Sequence, residues 1–136
     1  MTEFVLDSSA LLRLIDKAAG AERVRAVLRI CAGAEAGACI SAIQWGEIAG
    51  ILRRRSGALG QERALTILKG LQIRIVPATA ERAVHAAQII EERKLAYADA
   101  FAIELAMDSP NRVLVTADYD FKAVEDLARI EFLPLK

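Results

Sequence analysis

The feature that most constrains this chain is a recurrence: short apolar runs that end on polar residues, each followed by a stretch of helical periodicity. Phe4-Val5-Leu6 leads into Asp7-Ser8-Ser9, residue types that cap helices, just before a predicted helix from Ala10 to Lys17. Val24, Val27, Leu28 and Cys31 recur at helical spacing across Ala21 to Cys31, and the Ala/Gly-rich stretch Ala32 to Ala38 ends that helix. Cys39 to Ser41 reads as a very short strand. Ser41 and Gln44 then have capping-box spacing and open a helix that runs to about Arg55 and stops before Gly57. Gln61 to Leu71 is a further helix and Ile73 to Val76 a strand. Thr79 to Arg93 reads as a long helix with Ala83, Ala86, Ala87 and Ile90 inward, and Tyr97 to Met107 as the next. Val113 to Thr116 is a buried strand, Ala117 to Phe121 a turn, Lys122 to Ala128 a short helix, and Ile130 to Leu133 an edge strand before Pro134.

Strands alternating with helices cannot be hairpins; parallel neighbours need crossover connections, and helices supply them. The expected fold class is therefore α/β, a mainly parallel central sheet of four to five strands with helices on both faces. At 136 residues one domain, 1–136, accounts for the chain. Apolar residues make up 54% but aromatic ones only 5%, so Ala, Ile, Leu and Val must fill the core, as suits helices laid on a sheet. In such sheets ligand chemistry gathers at the carboxyl ends of the strands. Asp7 stands at the end of the first strand and Asp118 just beyond the Val113 strand.

Basic and acidic residues balance at 18 each, so no global positive field draws the chain onto a phosphate backbone. Nucleic-acid contact must be local or carried by a metal. Cys31 and Cys39 have neither CxxC spacing nor histidine partners, His85 being the single histidine, and read as reduced core thiols. No segment reaches the roughly 18 uninterrupted apolar residues of a membrane helix, and no leader is evident, so a soluble cytoplasmic protein is expected.

Two carboxylates fall on or beside apolar helix faces. Glu47 lies between Ile43 and Ile51 beside Ile48, and Asp99 is the only charge in Ala96 to Ile103, with no Lys or Arg one turn away on its face. Burying an unpaired carboxylate is costly. Taken singly, each acid also has a structural reading: Asp7 as a helix cap, Glu47 as a residue reaching outward, Asp99 as an anion at a helix start, Asp118 and Asp120 as turn residues. Taken together they are acids that a parallel sheet can bring to one place, where they repel one another unless a hard cation sits among them. Oxygen ligands without clustered His or Cys favour magnesium or manganese, ions suited to phosphoryl chemistry. Arg53-Arg54-Arg55 reads as a solvated helix end rather than an RNA contact.

Four blocks, Val5-Leu6-Asp7-Ser8-Ser9-Ala10-Leu11-Leu12, Ser41-Ala42-Ile43-Gln44-Trp45-Gly46-Glu47, Tyr97-Ala98-Asp99-Ala100-Phe101-Ala102 and Val115-Thr116-Ala117-Asp118-Tyr119-Asp120-Phe121, resemble in series the PIN-domain family, specifically VapC toxins. The resemblance implies a PIN fold, a magnesium- or manganese-dependent endoribonuclease, a homodimer, and inhibition by a VapB-like antitoxin. It also implies that Asp7, Glu47, Asp99 and Asp118 hold the metal, that Ser8 and Thr116 are the polar neighbours of that site, and that Asp120 acts through water. Gln44 departs from the Asn found in many relatives; a role in positioning Glu47 or the helix start is expected. Two other readings compete. A magnesium-dependent phosphatase of the haloacid-dehalogenase type wants a second acid two residues after its nucleophile, where this chain has Ser9. A non-catalytic PIN-like module that binds RNA or a partner tends to lose members of the acidic set, which this chain keeps.

Overall fold

The computed structural model describes residues 1–136. Its sheet is five-stranded and wholly parallel, in the order β3-β2-β1-β4-β5. In chain order the elements are β1 (Glu3–Leu6), α1 (Ser8–Asp16), α2 (Ala21–Ala32), β2 (Gly37–Ser41), α3 (Ala42–Lys69), β3 (Arg74–Val76), α4 (Ala80–Arg93), α5 (Tyr97–Met107), β4 (Arg112–Thr116), a 3-10 turn (Tyr119–Val124) and β5 (Arg129–Phe132).

Side chains alternate across a strand, and here both faces are buried. Phe4, Leu6, Ile40, Val113 and Val115 pack with Leu11, Val24, Val27, Ile48 and Leu52 of α1 to α3. Val5, Cys39 and Leu114 face the other way, onto Ala86, Ile89, Phe101 and Ile103 of α4 and α5. Each Leu or Ile so enclosed contributes about 1.5–3 kcal/mol of burial free energy, which is why strands of three to five residues suffice. From β1 the chain winds outward through β2 to β3, then crosses to β4 and β5 on the other side. The switch in direction falls between β1 and β4, where an open parallel sheet leaves a crevice at its carboxyl edge.

Several expected boundaries move, each for a local reason. α1 starts at Ser8, because Asp7 caps it by accepting from the Ala10 N–H. The helices expected on either side of Gly57 are one bent element, with Gly57 at φ 69° and ψ −174° as the break. Ser41 caps α3 through Ile43 N, but no capping box forms, since the Gln44 side chain is engaged elsewhere. On α4 the buried positions are Ala86 and Ile89, while Ala87 faces solvent. The short helix expected over Lys122 to Ala128 is instead the 3-10 turn Tyr119–Val124, begun earlier by the Asp118 side chain. No helix is long and apolar enough to cross a membrane.

Gly57 occupies a conformation that L side chains rarely adopt, yet a Cβ there would meet nothing within 4 Å. Gly57→Ala should therefore cost about 1–3 kcal/mol of backbone strain. Gly46→Ala, on an exposed helical position with equally open space, should instead stabilise by up to about 1 kcal/mol. Urea denaturation of the two variants beside the parent reads both signs.

Candidate active site

β1 ends by delivering Asp7 into the interior, where it is 1% exposed. A buried carboxylate needs donors, and this one has four contacts. Its Oδ1 accepts from Ala10 N at 2.9 Å and lies 2.8 Å from the Ser9 hydroxyl; its Oδ2 accepts from Thr116 Oγ1 at 2.5 Å and lies 2.9 Å from Ser9 Oγ. Thr116, the last residue of β4, in turn accepts from Asp118 N at 2.9 Å, and Ser9 Oγ accepts from Ala117 N at 2.8 Å. The ends of β1 and β4 are thus joined by two hydroxyls that also orient the start of the next turn. Ser9 is the residue that sequence reasoning undervalued: it read only as part of a cap, although the third polar residue of Asp7-Ser8-Ser9 was the available signal.

Glu47, in the second turn of α3, is exposed and accepts a short hydrogen bond from the Ser8 hydroxyl. Asp99 is half-buried in the first turn of α5. Asp118 is half-buried beyond β4, its Oδ1 taken by Asp120 N at 2.9 Å, while Asp120 itself is exposed. Gln44, fully buried, accepts from Ser8 N at 2.6 Å and donates to Ala98 O at 2.8 Å.

Charge defines the place. Burial pushes Asp99 up to about 7, the charges of Asp118, Asp7 and Glu47 add to the effect, and a hydrogen bond from Gln44 opposes it. Burial likewise raises Asp7 to about 6, against the hydrogen bonds of Thr116, Ala10 and Ser9, with Asp118 adding to the rise. The four acids therefore feel one another, yet none has a Lys or Arg partner; every ion pair in the molecule lies elsewhere. They lie at the carboxyl end of the sheet and line none of the main cavities. No three acidic, His or Cys side chains are already gathered around one point as a ligand set. The donor chemistry fits a hard divalent cation; the Asp7 oxygens, turned toward hydroxyls, are held short of a closed ligand cage.

The PIN-domain model matches residues 4–127. The chain belongs to the PIN-domain family. Its fold is shared with VapBC2 from Rickettsia felis, solved bound to a DNA fragment from the promoter, at a TM-score of 0.77 and 17% identity over 98% of this chain and 100% of that one. Mycobacterium tuberculosis VapC20, a sarcin-ricin loop cleaving toxin, gives 0.69 and 21% over 89% of this chain and 94% of its own. FitAcB from Neisseria gonorrhoeae gives 0.67 and 22% over 94% and 96%. No curated protein matches the chain in sequence.

The raised carboxyls of this PIN domain bear on stability. A folded state that holds its protons to higher pH than the unfolded chain loses stability as pH rises from about 4 through 6 and 7, the folded values of Asp7 and Asp99. Without divalent metal, Asp99→Asn should remove part of that fall: a higher melting temperature than the parent at pH 8 and little difference at pH 4. Thermal melts in EDTA across that range test it, and parallel curves for the two proteins would contradict the repulsion.

Proposed function

We propose that this PIN domain is a magnesium-dependent endoribonuclease, with manganese able to substitute, and the toxin of a VapBC-type toxin–antitoxin pair acting in the cytoplasm. The observation that carries the reading is the set Asp7, Glu47, Asp99 and Asp118: four carboxylates at the carboxyl end of the sheet with no protein cation among them, of which Asp7 and Asp99 are raised by burial and by the neighbouring charges. Asp7, Glu47, Asp99 and Asp118 would hold the ion. When bound, such an ion polarises a phosphate oxygen and acidifies water. The chain's own contribution is placement. Thr116 and Ser9 hold Asp7, the Ser8 hydroxyl steadies Glu47, and Asp118 is turned by its bond to Asp120 N. Exposed Asp120 acts through water. The phosphatase reading is disfavoured because that class wants a second acid two residues after its nucleophile, where this chain has Ser9, whose hydroxyl is spent on Asp7.

Asp99→Asn and Asp118→Asn keep size and one oxygen but remove charge, so each should lower RNA cleavage by about a hundredfold or more. Asp120→Asn should cost about tenfold. EDTA should abolish cleavage, and the products should carry 5′-phosphate and 3′-hydroxyl ends. Cleavage indifferent to EDTA by a preparation free of other nucleases would sink the mechanism, whereas a larger defect at Asp120 than at Asp118 would revise only their assignment.

The VapBC neighbours support a VapB-like antitoxin as partner, and a homodimer is the assembly proposed with it. A cleft of about 510 Å³ between α2 and the far end of α3, lined by Leu14, Leu28, Ala32, Ile67 and Leu71 with Arg25 and Arg29, suits apolar side chains flanked by acidic ones. Ile67 is 69% exposed there. Ile67→Asp should weaken antitoxin binding at least about tenfold by titration calorimetry.

A further inference from the structure

Gln44 is a polar side chain with no solvent contact, lying between three helices that each carry or adjoin a site acid. Its Oε1 takes the Ser8 N–H at the start of α1, next to Asp7; its Nε2 gives one hydrogen to Ala98 O in the first turn of α5, next to Asp99. Glu47 follows Gln44 by less than one turn of α3. No other side chain hydrogen-bonds to both α1 and α5, and no other ties α3 to α5. A primary amide suits both ends, since its oxygen accepts from one partner and its nitrogen donates to the other. A carboxylate could not give to Ala98 O, and an apolar side chain of equal volume would leave Ser8 N and Ala98 O buried and unpaired.

We propose that Gln44 is a positioning residue that sets divalent-cation affinity, its amide fixing the spacing of the Asp7, Glu47 and Asp99 backbones. This rests on the reading of those acids as the metal site. The arm length is part of the device. Asn is about 1.5 Å shorter and cannot keep both backbone contacts from the same helix position. The ends of α1 and α5 would then be free to separate, and the acids with them.

The test measures binding of Mn²⁺ alone, by electron paramagnetic resonance, to the full chain and to Gln44→Asn and Gln44→Met, with a melting curve for each. Both variants should bind Mn²⁺ roughly ten- to a hundredfold more weakly. Their RNA cleavage should fall at low Mn²⁺ and recover at saturating Mn²⁺, an affinity defect that a loss of stability alone does not produce. A folded variant with parental Mn²⁺ affinity overturns the proposal while leaving the metal-site reading intact. If the parent binds no Mn²⁺, or Asp99→Asn binds as well as the parent, the metal-site reading itself fails and the proposal with it. A further measurement needs no variant: in the ¹⁵N-glutamine-labelled parent, one side-chain amide should exchange slowly with solvent and shift on Mg²⁺ titration. Absence of any such amide would also overturn the assignment.

Discussion

The structure depends on how a buried carboxylate at the end of the central strand is accommodated. Asp7 lies where β1 and β4 part, 1% exposed, and an ionised group there without donors would be untenable. The chain meets it with a helix N–H and two hydroxyls, and those same hydroxyls receive N–H groups from Ala117 and Asp118 beyond β4. Satisfying Asp7 thus also fixes where β4 stops and where Asp118 starts its turn. Two of the site acids are placed by one hydrogen-bonded junction, and Gln44 links the starts of α1 and α5 to α3, bringing in the other two.

The two ends of the sheet treat acids in opposite ways. At the amino end, Glu3 pairs with Arg74 and Arg112, Asp108 with Arg82 and Arg112, and buried Glu104 with Arg82. Glu3 and Asp108 are held below the ordinary carboxylate range, Glu3 against a burial effect that the two arginines overcome. At the carboxyl end, Asp7 and Asp99 are raised and have no basic partner. The chain has as many basic as acidic residues, so the difference lies in placement, not supply. Arginine at the amino end contributes to holding β1, β3, β4, α4 and α5 together. Keeping it away from the carboxyl end leaves charge there to be neutralised from outside, at a cost in stability that grows with pH.

Much of this was legible in sequence, and what was not follows from contact between distant segments. Phe4 to Leu6 and Val113 to Thr116 declared themselves as doubly buried strands because nothing polar interrupts them, and Asp99 stood out because nothing on its helix face compensates it. The helix expected from about Tyr97 to Met107 forms. Gln44, by contrast, has capping-box spacing from Ser41, and local pattern offers no reason to expect its amide to reach Ser8 and Ala98 instead. Ser9 is equally opaque: its partners Thr116 and Ala117 lie 107 and 108 positions away. Asp118 caps a 3-10 turn through the Asp120 N–H, so helical structure starts at Tyr119 rather than at the expected Lys122.

The identity of 17% at a TM-score of 0.77 follows from the same division. A strand buried on both faces asks only for apolar side chains of about the right volume, and many sets meet that demand, so core positions can change while the backbone path is kept. Helix crossovers constrain handedness and length rather than residue identity. The acids are under a different rule. Replacing Asp7 by an apolar residue would leave Thr116, Ser9 and the Ala10 N–H to find other partners, and replacing Asp99 would relieve repulsion rather than create it. Fold likeness therefore says little about chemistry in this chain. The proposed metal-dependent nuclease rests on the carboxylates themselves, with Asp7 and Asp99 strained by burial and neighbouring charge in a way that a bound cation would relieve.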